Sequence, residues 1–253
     1  MKRLPRLLLL ISFAAALPAT LPLAQAAEIR VAVAANFSAT VKPLITQFEH
    51  DSGHTVLASF GASGKFYTQI HQGAPFDLFL SADSSTPQKL ADEGLASAAS
   101  LRTYAIGQLM LWSAKNDFID AQGKILQTDR FRHLALAQPK LAPYGLAAQQ
   151  VMENLHLWDK LQPKLVFGEN ISQTQQFIDS GNAELGFIAL SQLPPGNKGS
   201  VWRVPDSLYA PIRQQMVILN AAQNKAAVSQ FWQFLQSPAA QNVIRASGYR
   251  SGE

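Results

Sequence analysis

The sequence predicts an α/β protein of two similar lobes, each a mostly parallel sheet flanked by helices, the two joined by a pair of crossover strands. Three observations predict it. Apolar, β-branched runs alternate with stretches of helical periodicity in two separate blocks of the chain. Two long apolar runs, Tyr104 to Ala114 and Tyr209 to Leu219, have no helix close behind them and read as strands that leave one block for the other. The length suits one large domain or two of about 100 residues each, with room for a large core.

The first 26 residues stand apart from this pattern. Lys2, Arg3 and Arg6, the apolar run from Leu7 to Leu17, and Ala24-Gln25-Ala26 predict a secretory leader cut after Ala26. The apolar run is too short to span a bilayer, and Pro18 and Pro22 break the stretch beyond it. The leader holds three of the 21 basic residues, so the remaining 227 residues carry 18 basic against 17 acidic groups and the net charge falls from +4 to +1. That balance excludes a cationic stripe for nucleic acid. With no cysteine and five scattered histidines, the chain has no disulfide framework and no thiolate or imidazole cluster for a transition metal. Export without disulfides fits a bacterial periplasm, and with no cysteine to lipidate, the mature chain is expected to be free there as a monomer.

Glu28 to Asn36, EIRVAVAAN, reads as a buried strand, and SATVKPLITQFEHDSG as a helix that stops at Gly53. HTVLASFGAS and FDLFLSAD follow as strands, GKFYTQIHQG and STPQKLADEGL as helices, the latter with Pro87 in its first turn. After the first crossover strand, with its central Gly107, the second block runs HLALAQP, YGLAAQQVMENLHL, KLVFGEN, SQTQQFIDSG and ELGFIALSQL, strand and helix in alternation. PPGNKGS is a loop, and after the second crossover strand two helices end the chain, divided at Ser237-Pro238. One lobe is therefore expected from 27–107 plus 213–253 and the other from 108–212.

In open α/β sheets, ligands lie beyond the carboxyl ends of the strands. Four such junctions, AANFS, FGASG, LAPYG and GENIS, each open a helix. A helix start presents unpaired N–H groups and partial positive charge, so four of them facing one cleft would hold an anion without a basic side chain. FGASGKF is not a phosphate loop: Ser59 stands where the first glycine belongs and Phe66 where a magnesium hydroxyl belongs. Gly61-Ala62-Ser63-Gly64 is one residue short of a nucleophile elbow, which weighs against a secreted serine hydrolase using Ser63. Ser63 then either caps its own helix or donates to a ligand, and the same choice stays open for Asn36, a turn residue or a donor, and for Tyr144, a core aromatic or a donor beside Pro143. Asp77 and Asp83 read as turn and cap residues, since no partner carboxylate or metal spacing accompanies them.

Taken together and in order, EIRVAVAANF, FGASGKFYTQI, GAPFDLFLSAD, YAIGQLMLWSA, LAPYGLAAQQV and GENISQTQQF resemble the periplasmic molybdate-binding proteins of bacterial ABC importers, over essentially the whole chain after the leader. The resemblance implies a two-lobed periplasmic-binding-protein fold of type II, no catalysis and no cofactor. It also implies a tetrahedral molybdate or tungstate ion as cargo and a membrane permease as partner. The ligands it implies are the Ala35 N–H, Asn36, the Ser63 hydroxyl and N–H, the Tyr144 hydroxyl and the Ile171 N–H. Ala35 offers only its backbone where many relatives have a hydroxyl. Many relatives also place a tyrosine in the stretch matching GFIALSQ, which has none here, and the pattern resembles the branch of the family whose tyrosine comes from the PYG segment. Sulfate is the alternative cargo, alike in charge and shape and different in size.

Overall fold

The computed structural model describes residues 26–194, 196 and 198–252. The predicted leader, apart from Ala26, lies outside them, as do Pro195 and Asn197 of the loop expected after Leu193.

The first block forms β1 (Glu28–Ala34), α1 (Ser38–Ser52), β2 (Thr55–Gly61), α2 (Ser63–His71), β3 (Leu78–Leu80) and α3 (Ser85–Asp92). Gly53 ends α1 with φ 72° and donates its N–H to the Glu49 carbonyl, the left-handed turn for which glycine has no steric cost. The run from Tyr104 is not one strand but two, β4 (Arg102–Gly107) and β5 (Leu109–Ser113), which belong to different sheets and meet at Gln108. The second block gives β6 (Leu134–Ala137), α4 (Pro143–Asn154), α5 (Trp158–Leu161), β7 (Leu165–Gly168), α6 (Ile171–Asp179) and β8 (Leu185–Ala189). A short strand that the sequence pattern does not reveal, β9 (Ser200–Arg203), pairs with β5. The chain returns through β10 (Ile212–Ile218) and ends in α7 (Ala226–Phe234) and α8 (Pro238–Ala246), the latter capped by the Ser237 hydroxyl accepting the Ala240 N–H.

Two five-stranded sheets result, in the orders β2-β1-β3-β10-β4 and β7-β6-β8-β5-β9. Both are mixed and not mostly parallel. β1 pairs in parallel with β2 and β3, and β6 with β7 and β8. The remaining pairings are antiparallel, β10 with β3 and β4 in one sheet and β5 with β8 and β9 in the other. β3 has three residues, all fully buried, since helices cover both faces of a central strand. The parallel strands β1, β2, β6 and β7 therefore end on the same seam, and the helix starts after them face one another across it.

Candidate functional site

At that seam lies a cavity enclosing about 210 Å³ of empty space, its mouth included, lined from one side by Ala35, Asn36 and Ser63 and from the other by Tyr144, Asn170 and Ile171, among others. All five residues expected as ligands line it, and all are at least 96% buried. No lysine, arginine, aspartate, glutamate or histidine is among its lining residues.

Each helix start has a specific donor left over. A 3₁₀ turn, Ala35–Phe37, leads into α1, and the N–H groups of Ala35 and Asn36 precede any carbonyl that this turn could offer them. At α2 the Gly64 N–H donates to the Leu141 carbonyl at 2.9 Å, and Lys65 and Phe66 donate to the Ala62 carbonyl, which leaves the Ser63 N–H. At α6 the Asn170 side chain accepts from Ser172 and Gln173, which leaves the Ile171 N–H. At α4 Pro143 has no N–H, and Gly145 and Leu146 donate to the Ala142 carbonyl.

Ser63 does not cap its helix; Ala62 occupies the cap position and Ser63 is the first helical residue. Its Oγ accepts the Ala82 N–H at 3.0 Å, so its own proton remains to be given elsewhere. The Asn36 side-chain amide nitrogen is engaged within the protein. Its Nδ2 donates to Gln214 Oε1 at 2.9 Å and to the Tyr249 hydroxyl at 3.0 Å, so its backbone N–H is the group left for the cavity. The Tyr144 hydroxyl accepts from Gln214 Nε2 at 3.1 Å. Burial, reinforced by the neighbouring Tyr249 and Tyr104, pushes that hydroxyl well above the ordinary tyrosine range, so it stays a protonated donor.

Sequence reasoning overlooks Gln214, which is fully buried in β10, and Tyr249, whose hydroxyl donates to the Asn36 carbonyl at 2.8 Å. Gly107 belongs with them, because a Cβ there would stand 2.1 Å from the Tyr144 hydroxyl oxygen and 2.8 Å from Gln214 Nε2. Lys65, by contrast, pairs with Glu169 at 2.7 Å, and Asp83, just before the Ser84 cap of α3, accepts from the Thr86 N–H and hydroxyl. Asp77 accepts the Arg30 N–H and pairs with Lys225, away from the cavity.

The lobes touch around the cavity. Besides Gly64 and Leu141, Ser172 donates to the Ala35 carbonyl and Ser191 to the Asn36 carbonyl. Ala34, Ala35, Ala62 and Ala82 share one apolar cluster with Tyr144, Ala147 and Ile171.

Two sheets joined by two crossings of the chain, with a small cavity closed between them at the helix starts, define a solute-binding protein. The chain belongs to the family of bacterial extracellular solute-binding proteins, whose profile matches residues 29–250. It is 52% identical over 229 residues to the molybdate-binding protein ModA of Azotobacter vinelandii, covering 89% of this chain and 91% of that one. It is 48% identical over 226 residues to ModA of Rhodobacter capsulatus, covering 89% of each. Among solved structures, the periplasmic molybdate-binding protein of A. vinelandii superposes with a TM-score of 0.86 at 42% identity, over 89% of this chain and all of that one.

Proposed function

We propose that this protein binds molybdate, and with it tungstate, between its lobes in the periplasm and delivers the ion to the membrane permease of an ABC importer. The observation that carries the reading is the cavity wall itself, lined by backbone N–H groups, two hydroxyls, two asparagines and small apolar residues, with no ionisable acid, lysine, arginine or histidine. The relatives named as molybdate-binding proteins support the choice of ion.

The donors suit a dianion that carries no proton. Every oxygen of such an ion accepts, and the Ala35, Asn36, Ser63 and Ile171 N–H groups with the Ser63 and Tyr144 hydroxyls donate. A hydrogen bond to a charged group is worth about 1.5–3 kcal/mol, which lets several neutral donors replace a cation. Hydrogen phosphate brings a proton that needs an acceptor, and an unpaired buried O–H costs about 1–3 kcal/mol. Sulfate has the right charge, and its shorter bonds leave its oxygens short of donors on a rigid wall. The lobes, 27–107 with 213–253 and 108–212, act as the two jaws. The ion favours the closed arrangement by contacts with both, since Ser63 stands on one and Tyr144 and Ile171 on the other.

A hydrolytic role for Ser63 has less to support it. No histidine or carboxylate lines the cavity among the described residues, so no base stands beside the Ser63 hydroxyl.

Isothermal titration of the monomeric mature protein tests the proposal. Molybdate and tungstate are expected to bind tightly and alike, sulfate at least about 100-fold more weakly, and phosphate more weakly still. Sulfate binding as tight as molybdate, or no heat with molybdate, would reject it.

A further inference from the structure

We infer that Gln214, which does not line the cavity, sets the direction of the Tyr144 proton and thereby makes the site reject protonated oxyanions. The inference rests on the reading of the cavity as an oxyanion site and names the residue behind its selectivity.

The Asn36 carbonyl, which can only accept, gives the network its direction. The Tyr249 hydroxyl donates to the Asn36 carbonyl at 2.8 Å, so its oxygen is left as an acceptor for Asn36 Nδ2 at 3.0 Å. That contact fixes which end of the Asn36 amide is nitrogen, and the same Nδ2 meets Gln214 at 2.9 Å. The Tyr104 hydroxyl lies 3.0 Å from both the Ser81 carbonyl and the same Gln214 atom, and its single proton serves one of them at a time. With Asn36 Nδ2 donating on that side, Gln214 presents Oε1 to it. Its other end, Nε2, then necessarily faces Tyr144 and donates to its hydroxyl at 3.1 Å.

A tyrosine oxygen that accepts from Gln214 cannot also send its proton there. Among the described residues no protein acceptor takes that proton, and Tyr144 lines the cavity, so the proton is left for the ion. The relay also crosses between sheets, because Gln214 is in β10 and Tyr144 opens α4 beyond β6. It is rigid as well: Gln214, Asn36, Tyr104, Tyr144 and Tyr249 are all at least 96% buried, and the Phe37 ring packs on both Tyr104 and Tyr249, with centroids 4.9 and 5.5 Å away. Nothing in the chain of contacts is ionised, since burial holds all three tyrosine hydroxyls protonated.

Gln214→Glu keeps the shape and both acceptor contacts but puts an acceptor where Nε2 was. The Tyr144 proton then turns back to the carboxylate, and the cavity gains an acceptor in place of a donor. Titrations at about pH 9, where the new carboxyl is ionised while hydrogen phosphate keeps its proton, compare the two ions. The molybdate to phosphate affinity ratio is expected to fall by about 100-fold or more. In a Tyr144→Phe background the same substitution should change the ratio by less than about threefold, because the relay has no end to act on.

Gln214→Met, close in volume, serves as the second variant if the glutamate does not fold. Its loss of molybdate affinity, about 10-fold, should likewise vanish on Tyr144→Phe. A ratio unchanged by Gln214→Glu, or effects that add to those of Tyr144→Phe, would overturn the inference while wild-type molybdate binding left the proposed function standing. A wild type that binds no molybdate would overturn both.

Discussion

The Gly64 N–H and the Leu141 carbonyl meet across the cleft at 2.9 Å, and a Cβ on Gly64 would stand 3.1 Å from both the Leu141 Cα and its oxygen. The two backbones approach as closely as glycine allows, beside the helix start that carries Ser63. A methyl group there opposes closure without entering either lobe's core. Gly64→Ala is therefore expected to weaken molybdate binding by about 10-fold, while the melting temperature of the ligand-free protein moves by no more than a degree or two. Titration and thermal unfolding together check it. A large loss of stability without ligand would mean that the contact belongs to the fold and not to closure.

Ser63→Ala removes a donor from the cavity and an acceptor from Ala82. The first loss should weaken binding by about 10- to 100-fold, as for other hydrogen bonds to charged groups. The second leaves the buried Ala82 N–H without its partner, at a cost of about 1–3 kcal/mol, which lowers the melting temperature by several degrees. Both readouts must move. Affinity alone changing would show that water replaces the hydroxyl at Ala82.

Lys65 is the cation closest in sequence to the site, and its ion pair with Glu169 spans the mouth between the lobes with both side chains substantially exposed. Exposed pairs contribute little, about 0–1 kcal/mol. Lys65→Met is expected to reduce molybdate affinity by no more than about threefold, with its small effect lost in high salt. A loss of 100-fold at high salt would place a cation on the ion and contradict a site of neutral donors.

These contrasts explain what could be read from the sequence. Helix starts are local: a strand end followed by Asn36, Ser63, Pro143-Tyr144 or Asn170-Ile171 announces itself within a few residues, and the left-over N–H groups follow from helix geometry. The supports behind them are not local. Gln214 is 178 positions from Asn36 and 70 from Tyr144, so no window of sequence contains the network. One signal was present: Ile212, Gln214 and Met216 alternate along β10 and all three are buried, so the glutamine sits in a core register and needs partners. The two-lobed α/β architecture was likewise legible from alternation, whereas the break at Gln108 was hidden, because β4 and β5 are both apolar and a continuous pattern does not show a change of sheet. β9 escaped notice because four residues in a polar stretch show too little periodicity.

The pH dependence follows from the same groups. Tyr144 is the one cavity-lining side chain that titrates, and burial raises its hydroxyl, as it does those of Tyr104 and Tyr249. A raised tyrosine keeps its proton in the folded protein where the unfolded chain has lost it. The stability it contributes is fully present below the ordinary tyrosine pKa of 10.0 and is lost as pH rises beyond it. Molybdate affinity is accordingly expected to stay within about twofold from about pH 6.5 to 9, since no group in the wall changes charge there. Above about pH 10, thermal stability should fall by up to about 1.4 kcal/mol per pH unit for each tyrosine held protonated, with binding lost alongside it. Titrations across that range with parallel melts provide the check. A step in affinity near neutral pH would mean that a histidine or carboxylate reaches the ion, which the geometry of the wall does not allow.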